Sequence, residues 1–161
     1  QEGGTGADVL TGSAEPDFLV GGEGDDILDG SSGNDILIGG AGSDLLSGGS
    51  GADHFVWRDA EQGTGGNPVT DILQDFGTND VLDLRDILQG EGGGDLTDYL
   101  HFEQDGSNAV LHVSSDGGFG GGYATAAEDQ TIVLENVDIS GLGSDQQIID
   151  ALLAANQLIT D

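Results

Sequence analysis

The chain has 161 residues, of which 31 are acidic and two basic, giving a formal net charge of −29. That surplus disfavours nucleic acid and anionic lipid as partners and opposes compaction unless a cation neutralises it. No cysteine is present, which excludes disulfides and thiolate metal sites, and no apolar run nears the ~18 residues that a membrane span needs.

From Gly3 the sequence runs in nines: GGTGADVLT, GSAEPDFLV, GGEGDDILD, GSSGNDILI, GGAGSDLLS and GGSGADHFV. Glycine opens every copy. The sixth position is always aspartate (Asp8, Asp17, Asp26, Asp35, Asp44 and Asp53), and the eighth is always large and apolar (Leu10, Leu19, Leu28, Leu37, Leu46 and Phe55). A flexible linker has no reason to keep a hydrophobic register of this kind. The glycine-rich half tolerates positive φ and close backbone approach, so it turns tightly with its carbonyls inward. The apolar half is long enough for one short strand. Strand and turn alternating give a flattened right-handed parallel solenoid with two nonapeptides per coil, stacked at the ~4.8 Å spacing of paired strands.

Turns on one edge then recur every second copy. Asp8, Asp26 and Asp44 form one column, and Asp17, Asp35 and Asp53 the other. Carboxylates stacked this closely repel unless a cation lies between them. Oxygen-only donors in flexible geometry select Ca²⁺ over Mg²⁺.

The pattern resembles the RTX (repeats-in-toxin) family, whose nonapeptides wind into a calcium β-roll. The resemblance implies ions held between alternate turns, by positions two, four and six of one turn and one, three and six of the next on that edge. On the first edge this gives Gly4, Gly6, Asp8, Gly21, Glu23 and Asp26, then Gly22, Gly24, Asp26, Gly39, Ala41 and Asp44. On the second edge it gives Ser13, Glu15, Asp17, Gly30, Ser32 and Asp35, then Ser31, Gly33, Asp35, Gly48, Ser50 and Asp53. Gly40 and Gly42 stand at positions two and four of the fifth copy, ready for an ion beyond it. Members other than aspartate act through main-chain carbonyls. The second copy departs from the pattern, because Glu15 and Pro16 replace the glycine and free residue and Pro16 restrains Glu15. The site containing Ser13, Glu15 and Asp17 is therefore the weakest match.

The nonapeptide register is read as ending at Trp57, which divides the chain into a β-roll at 1–57 and a β-rich cap at 58–161. Residues 58–68 read as a polar loop. The segments DILQDF and VLDLRDIL that follow resemble the region after the repeats in RTX proteins, where the first Asp of the DxxxDF step closes a last calcium site. Asp71 is the candidate for that role, and Asp59 a weaker one. Residues 99–113 alternate around Asp105–Asn108 as a β-hairpin with Leu100, Phe102, Leu111 and Val113 inward. His101 and His112 take the outward phase and could face each other, without an evident third ligand for zinc. Residues 116–123, nearly all glycine, read as a mobile loop, and Thr131–Leu134 as another strand. Ser144–Gln147 is a capping box opening an amphipathic helix, with Ile148, Ile149, Leu152 and Leu153 on one face and Asn156 as its C-cap.

The fold class expected is all-β, a right-handed parallel β-roll continued by a β-rich cap with one short helix. The 57–161 stretch resembles the target region of type I secreted proteins, especially large RTX adhesins. That implies export of the unfolded chain through the type I machinery, an address near 144–161, and folding by calcium outside a Gram-negative cell. The chain opens on Gln1 and holds no Met, as expected of a piece of a longer protein. It carries neither HExxH nor GxSxG, so no catalysis is expected from it, although the tail of a secreted metalloprotease or lipase is the rival reading. An ice-binding face would need a regular array, and Thr5, Ala14, Glu23, Ser32, Ala41 and Ser50 do not supply one. As an isolated module the chain is expected to be monomeric.

Overall fold

The computed structural model describes every residue except 59, 60, 64, 89–94 and 161. In chain order the repeats supply β1 (Glu2–Thr5), β2 (Val9–Thr11), β3 (Phe18–Glu23), β4 (Ile27–Asp29), β5 (Ile36–Ala41), β6 (Leu45–Ser47) and β7 (His54–Val56). After them come β8 (Val69–Leu73), β9 (Val81–Asp83), β10 (Leu100–Asp105), β11 (Asn108–Val113), β12 (Gln130–Leu134), helix α1 (Asp145–Ala154) and β13 (Leu158–Ile159). Alternate strands of the roll lie in opposite sheets. One sheet runs β1-β3-β5-β7-β9-β13 and the other β10-β11-β12-β8-β6-β4-β2. Each repeat strand pairs in parallel with the strand one coil on, as in Phe18 with Ile36 and Leu28 with Leu46.

The eighth-position residues meet between the sheets. Leu19, Leu28, Leu37, Leu46 and Phe55 are all buried, while Leu10, in the first coil, is only partly so. A side chain in an end coil lacks a neighbour on one side, which is the cost of terminating a solenoid.

Both ladders continue past Trp57. β8 pairs in parallel with β6, and β9 with β7, placing Leu73 beside Leu46 and Leu82 beside Phe55. Asp71 follows its column neighbour Asp44 by 27 residues, whereas Asp44 follows Asp26 by 18. Nine residues have thus been inserted without a change of phase. Residues 66–74 and 75–83 are two degenerate nonapeptides, with Asp71 and Asp80 at position six and Leu73 and Leu82 at position eight. The inserted segment leans on the residues that lead into β12, where Gly63 and Gly66 donate to the carbonyls of Asp129 and Glu128.

β12 joins roll to cap. It runs parallel to β8 and antiparallel to β11, which forms the expected hairpin with β10. Leu100, Phe102, Leu111 and Val113 are buried as expected. The glycine-rich stretch differs from expectation, because it is pinned. Phe119 is buried, donates its N–H to the carbonyl of Asp98, and meets the Tyr123 ring edge-on at 5.3 Å.

Helix α1 caps the β10 end of the core with Ile148 and Ile149 buried, but Leu153 is 37% exposed. Leu153 stands beyond the stripe that Ile148, Ile149 and Leu152 define, so it turns out to solvent. The N–H of Ser144 donates to Gln147 Oε1 at 3.0 Å, as a capping box requires. Asn156 takes φ +56° just beyond the cap residue Ala155, and the N–H groups of Asn156 and Gln157 bond the carbonyls of Leu153 and Leu152, a Schellman ending.

Candidate metal columns

The turns place the repeat aspartates in two columns joined by one recurring hydrogen bond. On the first edge the N–H of Asp8 donates to Asp26 Oδ1 at 2.7 Å, that of Asp26 to Asp44 Oδ1 at 2.8 Å, and that of Asp44 to Asp71 Oδ1 at 2.8 Å. On the second edge Asp17 donates to Asp35 at 2.8 Å, Asp35 to Asp53 at 2.9 Å, and Asp53 to Asp80 at 3.0 Å. One oxygen of each accepting carboxylate is therefore committed to the fold. The other is the informative one. Among the described residues, Oδ2 of Asp8, Asp26, Asp35, Asp44 and Asp53 is buried and has no hydrogen-bond partner. A carboxylate oxygen withdrawn from water without compensation is strongly unfavourable, so these five atoms call for a cation.

Backbone oxygens collect around them. A Cβ built on Gly3 would lie 2.7 Å from Asp8 Oδ2 and 2.5 Å from the carbonyl oxygen of Gly21, so both atoms crowd one glycine. Asp26 Oδ2 and the Gly39 carbonyl crowd Gly21 in the same way, and Asp35 Oδ2 and the Gly48 carbonyl crowd Gly30. The carbonyls of Gly4, Gly6, Gly22, Gly24, Ser31 and Gly33 face the next turn on their edge, against Gly22, Gly24, Gly40, Gly42, Gly49 and Gly51. The carbonyls of Glu23, Ala41 and Ser50 accept from Gly6, Gly24 and Gly33 at 2.5, 2.7 and 3.0 Å, leaving each a second lone pair. The donor set is oxygen throughout, in keeping with Ca²⁺.

The second turn is the exception, as its sequence indicates. Asp17 Oδ2 accepts from the N–H of Ser13 at 2.5 Å and from Ser13 Oγ at 2.9 Å. These bonds, the backbone one foremost, hold the Asp17 carboxyl below the usual range. Glu15 donates its N–H to Ser13 Oγ at 3.2 Å. Gly30 contributes its carbonyl beside Asp17 Oδ2, and Ser32 bridges Ser50, but the Ser13 clasp already occupies the aspartate.

Asp71 joins the first column but is held differently. Its Oδ2 accepts from Trp57 Nε1 at 2.7 Å and Gln130 Nε2 at 2.9 Å, so neutral donors close this end. Burial, chiefly, raises the Asp71 carboxyl to about 7 and that of Asp44 to about 6. Asp59 lies outside the described residues. The repeat pattern alone does not reveal Asp75 and Asp80. Asp75 accepts from the N–H groups of Gly48 at 3.0 Å and Gly49 at 2.7 Å, and Asp80 completes the second column. The retained nine-residue phase is the signal that could have found Asp80.

His101 and His112 do pair across the hairpin, with ring centroids 5.7 Å apart, and Tyr123 stacks on His101 at 4.4 Å. His112 Nδ1 meets Glu128 at 2.6 Å and His101 Nδ1 meets Asp145 at 2.8 Å. No group of three or more metal-ligating side chains is assembled there among the described residues.

The family model for the RTX calcium-binding nonapeptide repeat matches residues 2–37 and 29–56. Two solved structures from the Azotobacter vinelandii mannuronan C5-epimerase resemble the chain, the AlgE6R2 and AlgE6R3 subunits. Each is 28% identical. AlgE6R2 has a TM-score of 0.67, with 99% of this chain and 91% of that one covered. AlgE6R3 has a TM-score of 0.63, with 98% and 80% covered. The extracellular lipase LipA from Serratia marcescens shares the fold at 21% identity and a TM-score of 0.60, with 99% of this chain lying on 20% of the lipase. No curated protein sequence matches. Residues 2–56 are RTX calcium-binding nonapeptide repeats wound into a β-roll.

Proposed function

We propose that the chain is a non-catalytic secretion and folding module of a large Gram-negative adhesin, exported unfolded by a type I system and folded by calcium outside the cell. One observation carries the reading. Among the described residues, five buried repeat carboxylate oxygens lack a partner, so without a divalent cation the repeats bury uncompensated charge and the chain stays open. Bridging aspartates share their charge between ions, and the affinity expected is that of extracellular modules, roughly 10⁻⁴–10⁻³ M. Cytosolic calcium then leaves the chain in a form that a channel can pass, and the outside medium folds it. Helix α1 and its flanks, residues 144–161, serve as address on the unfolded chain and as cap on the folded one.

A second reading is favoured by the likeness to epimerase subunits across nearly the whole chain. The module would then be the tail of a secreted enzyme, with catalysis elsewhere in the protein. Both readings share the calcium-triggered fold and differ in the cargo.

The test joins export to folding. Truncation after Gly143 is expected to abolish secretion from a type I-competent cell. EGTA is expected to remove the β-sheet circular dichroism of the full chain. Normal export of the truncated chain would place the address elsewhere, and an unchanged spectrum in EGTA would overturn the calcium trigger.

A further inference from the structure

We propose that the outer face of the seven-stranded sheet is a docking surface for a basic amphipathic helix of a partner protein. Position eight of each repeat points into the core, so position seven points out. In this sheet the outward residues line up across the strands. Val9 is paired with Ile27, Ile27 with Leu45, and Leu45 with Ile72. The row does not stop with the roll, because Ile72 is paired with Val133 and Val133 with Val110. It ends on the edge strand, at Glu103. Six aliphatic side chains on six adjacent strands thus form one ridge, and none of them is buried. Val9 is 71% exposed and Ile27 44%. The matching row of the other sheet is broken, since Phe18 and Ile36 lead to His54. A contiguous apolar row on the surface of so acidic a chain marks an interaction site.

Charge selects the occupant. Asp29 and Asp105 are exposed and stand two residues along from Ile27 and Glu103, on the same face of their strands. Asp25, exposed in the turn before Ile27, adds a third carboxylate beside the ridge. The two arginines of the chain follow β7 and β9, which are strands of the other sheet. His101 and His112, at the cap end, are each held against a carboxylate. Two such faces brought together would oppose like charges, which disfavours a second copy, and anionic lipid is disfavoured in the same way. Spacing selects a helix. Neighbouring side chains of the ridge are ~4.8 Å apart, close to the ~5.4 Å turn of a helix, whereas an extended segment repeats one side every ~6.6 Å. From Val9 to Val110 the ridge spans ~24 Å, the length of ~16 helical residues. A helix with an apolar stripe would lie along it, with lysine and arginine reaching the flanking carboxylates. This face is separate from the calcium columns and from residues 144–161.

The probe is a fluorescent leucine/lysine peptide of about 18 residues with its leucines on one helical stripe, titrated with the full chain in calcium. A scrambled peptide of the same composition controls for charge alone. The striped peptide is expected to bind at least about tenfold tighter than the scrambled one. Ile27→Lys is expected to remove most of that difference. Ile36→Lys places the same charge at position seven of the next copy, on the opposite sheet, and should bind as wild type does. Absence of binding to the wild type, equal binding of the two peptides, or equal losses in the two variants would overturn the proposal. So would a dimer in sedimentation that Ile27→Lys dissolves, since the face would then belong to a second copy. Should Ile27→Lys fail to fold, amide shifts of the wild-type chain on peptide addition decide the matter. Shifts along β4, β6, β8 and β12 support the surface, and shifts along β3, β5 and β7 instead refute it.

Discussion

Trp57 donates its indole N–H to Asp71 Oδ2 at 2.7 Å, tying the only tryptophan of the chain to the last carboxylate of the first column. The pair lies where the consensus turns give way to degenerate ones, and Trp57 is 5% exposed. Calcium removal should therefore release the indole into water. A red shift in emission on EGTA addition, following the loss of β-structure, is expected. Replacing Trp57 with Phe leaves Asp71 one donor short, and unfolding by urea in saturating calcium should show a loss of about 2 kcal/mol, the scale of a hydrogen bond to a charged group. Unaltered stability would mean that Gln130 alone suffices.

The columns make the aspartates unequal. Asp26 accepts from Asp8, donates to Asp44, and is buried with one oxygen unclaimed. Asp26→Ala should raise the calcium midpoint of folding several-fold more than Asp8→Ala, which touches only the end coil. Asp17→Ala should act least on calcium binding, because Ser13 already satisfies that carboxylate. Equal shifts for Asp8→Ala and Asp26→Ala in a calcium titration would refute the shared-ligand arrangement.

Glycine serves two separate needs. Gly24 has φ 119°, and a Cβ there would lie 2.6 Å from the carbonyl carbon of Gly6 in the turn before. Gly106, in the hairpin turn, has φ 62° and open space around it. Gly106→Ala should then cost only the left-handed penalty, roughly 1–2 kcal/mol. Gly24→Ala must also push neighbouring turns apart, so its loss in a thermal melt with calcium should exceed that of Gly106→Ala. A reversed order would show that the turns separate without penalty.

Acid should loosen the cap through Glu128. Burial works to raise this carboxyl, but donors from Thr131, His112 and Tyr123 outweigh it and leave it below its ordinary 4.5. A depressed carboxylate stabilises the fold above its unfolded value and loses that contribution as pH falls through the lower folded one. Wild type and Glu128→Gln should differ in stability at neutral pH and converge below 4.5, as read by melts across pH. A gap that persists in acid would mean that the side chain acts by shape and not by charge.

Much of the roll was legible because each requirement repeats. Asp at position six and Leu or Phe at position eight announce turn and core in every copy, and the columns follow from their spacing. The continuation was harder to see, since glycine holds position one at Gly66 but is lost from it at Asp75, and Asp71, Asp80, Leu73 and Leu82 are left to carry the phase. Phe119 misled for a related reason. Glycines around it suggest mobility, whereas its burial depends on Tyr123 and the Asp98 carbonyl, partners that local sequence does not identify. The clasp of Asp71 by Gln130 spans 59 residues and leaves no periodic trace at all.

The order of the six-stranded sheet has a mechanical consequence. β1 forms one edge and β13 the other, so a pull on the two ends of the chain acts across the strands and not along them. Tension of that kind meets the bonds between coils one row at a time, as in opening a zipper. Between the repeat turns the rows meet at unpartnered carboxylate oxygens, so there ions and not strand length would set the force at which a coil peels away. Under such a load the molecule would lengthen in steps and shed calcium as it did so.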